Sequence, residues 1–133
     1  MKALKYAAIV VLVYMGVVFT FEAMIGIFQP ESESTIVITT VDADGRKESR
    51  VVSPVYDDGT LYVSANHWPR SWYNRARGNP EVEVTENGTT RAYTAVPVAG
   101  AEDARLQKEY AHPVFFRFLT GFPPRDFLRL DPR

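Results

Sequence analysis

The sequence predicts a small, mainly β domain with two helices, closed into an antiparallel barrel and preceded by one transmembrane helix. Three features predict it: an almost wholly apolar N-terminal segment, short β-branched runs, and turn signals between those runs. Short antiparallel strands, about six here, usually close into a barrel because closure removes their unpaired edges. The chain therefore divides into an anchor, residues 1–30, and a barrel domain, residues 31–133.

Composition excludes several classes of function. The 133-residue chain carries 15 Lys and Arg against 16 Asp and Glu, with no basic stripe, so nucleic acid is not an expected partner. It has no cysteine, which excludes disulfides, thiolate metal sites and thiol catalysis. His67 and His112 are distant in sequence, and no His-x-x-x-His or Glu-x-x-His spacing occurs, so no metal site is expected.

The segment Tyr6–Phe28 predicts a retained membrane anchor. About 23 residues at about 1.5 Å each give a helix of roughly 35 Å, enough to cross the hydrocarbon layer. Apolar side chains surround it, whereas a surface-lying helix needs a polar stripe. A secretory signal peptide is the alternative, but residues 22–26 match a small-x-small cleavage site poorly. Glu22, the only charge, is expected to reach the interface; a quinone or proton contact is the sharper interpretation.

Orientation of the anchor is ambiguous in the sequence. Lys2 and Lys5 precede the apolar segment, while Glu31 and Glu33 follow it. The positive-inside rule then places the N-terminus in the cytoplasm and the domain outside.

Turn signals divide the domain into its elements, which follow a polar linker, residues 29–34. A helix is predicted at Trp68–Gly78, with Pro69 near its start and Gly78 as its stop. A second helix is predicted at Ala101–Ala111, with Ala104, Leu106 and Tyr110 as inward positions, before the aromatic segment Val114–Phe122. The predicted strands are Thr35–Val41, Glu48–Tyr56, Thr60–Ala65, Glu81–Glu86, Thr89–Val98 and Phe127–Leu130.

Three clusters of residues could carry chemistry. Arg46, Lys47 and Arg50 could hold a phosphate beside a turn, or form a solvated hairpin tip. Residues 64–73 combine a helix start, which favours anions, with aromatic rings that suit a planar group, or are ordinary core. Residues 115–122, with Tyr110, could line a pocket for an apolar substrate, rest on a membrane or pack as core.

The order of these motifs resembles the deazaflavin-dependent nitroreductase and quinone reductase family, which belongs to the flavin-binding split β-barrels. The resemblance runs from about Ile36 to Val98. It rests on Thr39-Thr40, Gly45-Arg46-Lys47, Arg50, Ser53-Pro54, Tyr62-Val63-Ser64-Ala65-Asn66, Trp72-Tyr73-Asn74 and Asn79-Pro80-Glu81-Val82.

The resemblance implies a site for coenzyme F420 (8-hydroxy-5-deazaflavin), with FMN as the alternative. It implies that cations hold the cofactor's phosphate, small residues lie under and beside its ring system, and a helix closes the tail side. The reduced acceptor could take a proton from water or from Tyr110, and Phe115 and Phe118 could line the acceptor site. The implied phosphate-binding cations are Arg46, Lys47 and Arg50. The implied small residues at the ring are Ser53, Pro54, Ser64, Ala65 and Asn66, and the implied helix residues on the tail side are Arg70, Ser71, Trp72 and Tyr73.

The function implied is a membrane-anchored oxidoreductase that passes hydride from a reduced deazaflavin or flavin to a quinone-like or nitroaromatic acceptor. Membrane lipid and a lipid-soluble quinone or small aromatic acceptor are then its partners, and a homodimer is compatible with the family. Because deazaflavin is cytosolic, this function requires a single-pass protein in the cell membrane with a cytoplasmic domain, against the lysine count.

Departures from the family pattern leave other functions open. Asp42-Ala43 lengthens the first turn, Glu48 adds a negative charge beside the phosphate cluster, and His67-Trp68 replaces a glycine pair. Glu48 and the missing glycines favour a tethered split barrel that has lost its cofactor and acts as a binding or scaffold module. A third alternative is an extracytoplasmic barrel for a small apolar ligand.

Overall fold

The computed structural model describes residues 1–27, 35–65, 70–119, 121–122 and 124–133. Within them, a long helix precedes a domain in which seven strands are interspersed with three shorter helices. The elements are α1 (Lys2–Ile27), β1 (Ile36–Val41), β2 (Lys47–Val52), β3 (Pro54–Asp57), β4 (Thr60–Ala65), α2 (Ser71–Gly78), β5 (Glu81–Glu86), β6 (Thr89–Pro97), α3 (Gly100–Glu109), α4 (Val114–Leu119) and β7 (Asp126–Pro132).

The strands form one antiparallel sheet in the order β2-β1-β5-β6-β7-β4-β3. Its two edge strands, β2 and β3, are consecutive in the chain and separated only by Ser53. Two residue steps span at most about 7 Å, so the two edges must meet at that point. The sheet is therefore curled into a half-barrel, which confirms the mainly β barrel class. We call the meeting point, Ser53 and Pro54, the seam.

Tyr56 closes one end of this barrel. Its hydroxyl donates to both carboxylate oxygens of Glu86, at 2.8 and 2.7 Å. Glu86 ends β5, which is separated from β3 by three strands in the sheet order. This contact thus joins an edge strand to a hairpin that it does not pair with.

The core lies on the face of the sheet that carries Ile36, Ile38 and Thr40 of β1, which we call the core face. Their alternation with the half-buried Val37 and Thr39 follows the two-residue period of a strand. From α2, the side chains of Trp72, Tyr73 and Ala76 pack into the same core. A second, smaller cluster joins α3 to the sheet through Tyr62, Leu106 and Phe127.

The elements differ from prediction in three places. The predicted strand Glu48–Tyr56 is two strands, because the chain turns a corner at Ser53 and Pro54 lacks the N–H that a continuous ladder needs. The aromatic segment contains a third domain helix, α4. Of the three positions predicted to face inward on α3, Leu106 is fully buried, Ala104 is exposed and Tyr110 is half-buried. The predicted helix start, Trp68-Pro69, lies outside the described residues.

The 26-residue helix α1 is long and apolar enough to cross a membrane over Lys2–Met24. Only 6% of its most apolar stretch is buried in the protein, so α1 is not a core helix. A signal sequence would satisfy the same test of length and composition. Glu22 differs from the expectation of an interfacial charge, because the protein covers it to 6% exposure.

Candidate functional site

The first predicted cluster begins in the β1–β2 turn, which Asp42 organises. Its carboxylate accepts backbone N–H groups of Asp44 and Arg46, both at 2.9 Å. The bond from Arg46 is the largest cause that lowers the pKa of Asp42. Gly45 supplies the positive φ of 80° that the turn requires. The Arg46 side chain, 76% exposed, pairs with Asp44 at 3.2 Å and therefore lies in solvent at the hairpin tip.

Lys47 and Arg50 project from opposite faces of β2. Lys47 pairs with Val41 and lies on the outer face, where its Nζ is 3.5 Å from Glu83 Oε1. Arg50 pairs with Ile38, and side chains of directly opposed residues share a face of the sheet. Arg50 is therefore on the core face. The structure does not bring Lys47 and Arg50 to one side of the strand.

Arg50 is the half-buried cation of this cluster, and Glu22 of α1 is the acidic residue that acts on it. Burial lowers the pKa of Arg50, while Glu22 acts in the opposite direction. Among the residues that the structure describes, its guanidinium makes no hydrogen bond or close ion pair. A half-buried cation in this state favours an anionic partner.

Glu48, the negative charge in the cluster, is neutralised by Arg75 of α2. Arg75 Nη1 lies 3.0 Å from Glu48 Oε2, and Arg75 Nε donates to Thr40 Oγ1 at 2.9 Å. Thr40 is fully buried, so this network fixes α2 against β1 and β2. Because Glu48 and Arg50 share the core face, the pairing also reduces repulsion of an anion near Arg50.

An open cleft of about 580 Å³ lies between the β1–β2 turn and the end of α2. The additional residues Asp42 and Ala43, which lengthen this turn, help to form it. Sequence reasoning missed this cleft, although the longer turn was its signal. Asp42 and the carbonyl end of α2 make it an unfavourable place for a phosphate. Its lining is Val41, Asp42, Ala43, Asn74, Arg75, Gly78 and Asn79.

Arg70 of the second cluster serves the fold directly. It is 8% exposed; its Nη2 donates to the Ala65 carbonyl at 3.0 Å and its Nη1 pairs with Asp126 at 2.5 Å. It thus connects the end of β4, the start of β7 and the start of α2. Trp72 and Tyr73 pack edge to face in the core with ring centroids 6.1 Å apart, as the core interpretation expects.

The small residues of the second cluster divide between core and surface. Ser64 and Ala65 are buried on β4, at 7% and 2% exposure, and Ser71 is exposed at the first residue of α2. Asn66 lies outside the described residues. Ser53 and Pro54 form the seam, where Ser53 is exposed and Pro54 begins β3. The seam follows Arg50 by three residues, so these predicted positions are neighbours in the structure.

Tyr110 lies beside the β3–β4 turn. Its hydroxyl donates to Asp57 Oδ1 at 3.3 Å, and Arg105 holds the other oxygen of Asp57 at 2.5 Å. Burial and then Asp57 raise the pKa of Tyr110. The phenol therefore stays protonated at neutral pH, and it directs its proton to Asp57. Asp57 is three residues from Pro54, about 10 Å along the strand.

Phe115 and Phe118, predicted to line the acceptor site, project from α4 with 73% and 45% of their surface exposed. Phe118 packs on Tyr14 of α1, with ring centroids 4.9 Å apart. The structure therefore places Phe118 against the N-terminal helix, while Phe115 is exposed on the same helix α4.

The donor set fits an anionic cofactor at one place. Arg50 provides a half-buried charge, and the adjacent seam provides small residues against which a planar ring could lie. The second cluster mainly stabilises the fold, because Arg70, Trp72 and Tyr73 are buried. Residues at the first cluster and the seam are those that could hold a phosphate-bearing cofactor.

The curled seven-strand half-barrel with this seam defines a split β-barrel protein. The sequence profile of the F420H2-dependent quinone reductase family matches residues 16–114. The chain belongs to this family, and the membership supports an oxidoreductase. Among curated proteins, no sequence matches the chain.

Solved structures share the fold at low sequence identity. An F420-H2 dependent reductase, FDR-A, is 20% identical over 74% of this chain and 94% of its own, with a TM-score of 0.57. A structure described as a domain-swapped dimer is 21% identical over 76% and 82%, with a TM-score of 0.61. HutZ, the heme storage protein of Vibrio cholerae, is 20% identical over 85% and 90%, with a TM-score of 0.53. At these identities the likeness shows the fold alone.

Proposed function

We propose that this protein is a membrane-anchored oxidoreductase that transfers hydride from reduced coenzyme F420 to a quinone-like or nitroaromatic acceptor. Family membership over residues 16–114 carries the proposal. The half-buried guanidinium of Arg50, three residues before the seam, supports it. FMN is the alternative cofactor, since the same phosphate-binding chemistry suits it.

In this function, Arg50 holds the cofactor's phosphate from the core face, while Arg46 and Lys47 contribute from the tip and the outer face. The present partners of Arg46 and Lys47 are exposed carboxylates. Exposed ion pairs contribute about 0.2–1 kcal/mol, so a phosphate can replace them at little cost. Charge-assisted bonds to phosphate are stronger, particularly for a half-buried Arg50.

The bound cofactor supplies the hydride, and the protein supplies placement and protons. Ser53 and Pro54 support the ring at the seam, with Ser64, Ala65 and Asn66 at its edge. Tyr110, kept protonated by its surroundings, donates a proton to the reduced acceptor.

The membrane anchor has a purpose in this function. A lipid-soluble quinone is confined to the bilayer, so a tethered domain meets it there. Helix α1 has the required length and apolar composition. A cytosolic deazaflavin requires the domain to face the cytoplasm. Assembly as a homodimer is consistent with the related structure that is described as a domain-swapped dimer.

Cofactor binding and turnover test this function separately. The full chain in detergent is titrated with F420 and with FMN by equilibrium dialysis, and reduction of a water-soluble quinone by the reduced cofactor is followed anaerobically. We expect saturable binding that weakens at least tenfold in Arg50→Ala, because a hydrogen bond to a charged group contributes about 1.5–3 kcal/mol. Arg91→Ala, an exposed cation on β6, is the matched control. Absence of saturable binding by either cofactor rejects the proposal.

A tethered binding or scaffold module is the second candidate. The observation that favours it is the position of Lys47 and Arg50 on opposite faces of β2, with Arg70 and Trp72 committed to the fold. A folded chain that binds neither cofactor but retains membrane association supports this candidate.

A further inference from the structure

Helix α4 has an exposed apolar surface that the proposed function does not use, and it lies next to the apolar surface of α1. Helix α4 and the turn after it leave four large apolar side chains exposed, by 45–73% of their surface. On α1, the large apolar residues from Leu4 to Phe19, other than Tyr14 and Val18, are exposed by 42–75% of their surface. Nothing in the described part of the domain covers either set. The four side chains are Val114, Phe115, Phe118 and Phe122.

The two exposed sets are joined by direct packing. Among residues 1–24, the side chains of α1 that are partly or fully covered are Tyr14, Val18, Phe21 and Glu22, which lie on one stripe of the helix. The Tyr14 ring packs on Phe118 at 4.9 Å, and the Phe21 ring meets Phe116 at 6.2 Å. Helix α4 therefore lies along the second half of α1.

This packing fixes the depth of α4 relative to α1. Tyr14 precedes Met24, the end of the candidate span, by ten residues or about 15 Å. The hydrocarbon layer is about 30 Å thick, so Tyr14 lies near its middle when α1 spans it. The residues of α1 before Tyr14 are too few to cross the layer alone. A spanning α1 therefore requires Phe118 to enter the layer beside it.

Hydrogen bonding at the end of α4 also suits an environment without water. The last carbonyl groups of a helix have no partner within it, and in hydrocarbon each needs one. Here the Phe118 carbonyl accepts the Tyr14 hydroxyl at 3.0 Å and the Gly121 N–H at 3.3 Å. The Arg117 carbonyl accepts the Phe122 N–H at 2.8 Å. The Arg117 guanidinium lies 5.7 Å from the centre of the Phe122 ring, and its long stem allows it to extend toward the headgroups.

We propose that α4 (Val114–Leu119), together with Gly121 and Phe122 after it, forms a second membrane-embedded element that enters the hydrocarbon layer beside α1. Lipid acyl chains cover Val114, Phe115, Phe118 and Phe122. The domain is then partly inserted into one leaflet and is not attached to the membrane by α1 alone. Tyr14 and Phe118, which make the contact, both lie outside the stretch that matches the family. This inference rests on the anchoring part of the proposed function.

Spin labelling tests the inference directly, because the chain has no cysteine of its own. Single variants of the full chain, Phe115→Cys and Phe122→Cys, are labelled with a nitroxide and reconstituted in phosphatidylcholine vesicles. Both positions are largely exposed, at 73% and 49%, so labelling leaves the core intact. Val10→Cys on α1 is the reference for hydrocarbon and Arg91→Cys on β6 the reference for water. Collisions with oxygen and with a water-soluble nickel chelate are then compared.

We expect labels at 115 and 122 to resemble the label at 10, with frequent collisions with oxygen and few with nickel. Frequent nickel collisions at 115 and 122, with a protected label at 10, overturn this inference and leave the anchor standing. Frequent nickel collisions at all sites overturn the anchor as well. Protection of 115 and 122 from both reagents overturns the inference in favour of contact with a second copy of the chain.

Discussion

Arg75, near the end of α2, holds Glu48 of β2 at 3.0 Å and the buried hydroxyl of Thr40 at 2.9 Å. These residues are 27 and 35 positions apart in the chain, so no local pattern links them. The contact neutralises the one acidic side chain within the cluster of cations on β2. Glu48, which departs from the family pattern, therefore pairs with α2 and helps to hold that helix on the sheet.

Removing Arg75 should destabilise the fold. Arg75→Met keeps most of the apolar stem but leaves Glu48 unpaired and the buried Thr40 hydroxyl without its charged donor. We expect a loss of about 1–3 kcal/mol in the free energy of unfolding, measured by denaturant titration of the full chain in detergent. Glu83→Gln, which breaks the exposed pair with Lys47, is the control and should cost less than about 1 kcal/mol. Equal effects of the two substitutions would contradict the role assigned to Arg75.

The bond between Tyr56 and Glu86 should make stability depend on alkaline pH. Desolvation, then the bond to Glu86, raises the pKa of Tyr56 to about 12. A raised pKa in the folded state stabilises the fold fully below the unfolded value of about 10, and this contribution is lost as pH rises toward 12.

Tyr56→Phe isolates this contribution from those of the other tyrosines. We expect the variant to be less stable than the parent chain at pH 8, and the difference to shrink as pH rises from about 10 to 12. The side chain is half-exposed, so solvent screening limits the effect at pH 8 to less than about 1 kcal/mol. Thermal unfolding followed by circular dichroism at several pH values measures it. A difference that stays constant across this range would exclude the proposed linkage.

Gly121 should be sensitive to substitution for two separable reasons. Its φ is +77°, and a Cβ built on it would lie 3.0 Å from Val18 Cγ1 of α1. Gly45 has a similar φ of +80° with open space around it, so it reports the backbone strain alone.

We expect Gly45→Ala to lower the free energy of unfolding by about 1–2 kcal/mol and Gly121→Ala to lower it further. When Val18 is already alanine, the crowded contact is gone. Gly121→Ala introduced into Val18→Ala should therefore cost no more than Gly45→Ala costs in the parent chain. Denaturant titrations of the variants measure these differences. If Gly121→Ala costs no more than Gly45→Ala, the turn after α4 does not pack closely on α1.

Tyr110→Phe should lower turnover without weakening cofactor binding. The phenol is the proton donor in the proposed reaction, and general acids contribute roughly 10²–10⁴-fold to a rate. The measurement is kcat for a water-soluble quinone together with the dissociation constant of the cofactor. Tyr62→Phe is the control, because its hydroxyl donates to Glu102 at 2.7 Å in the same region. Unchanged kcat in Tyr110→Phe would remove Tyr110 from the mechanism and leave water as the donor.

The sequence by itself determined the local elements of this protein. Its β-branched residues predicted β1, alternating charged and apolar residues predicted β5, and the Asp-Gly and Asn-Gly dipeptides marked turns that the structure contains. The apolar N-terminal segment is a continuous helix. These features follow from neighbouring residues, because turn chemistry and side-chain period act within a few positions. The opposite faces of Lys47 and Arg50 were also readable, since positions an odd number apart alternate along a strand.

Only the tertiary structure decided which distant residues meet. The corner at Ser53 divided one predicted strand and brought the two edges of the sheet together. Arg70 pairs with Asp126, 56 positions away, and the Tyr14 hydroxyl donates to the Phe118 carbonyl, 104 positions away. Such pairings depend on how the sheet curls and where each helix docks. Burial of apolar surface across the whole chain sets that geometry, and no short stretch of sequence contains it.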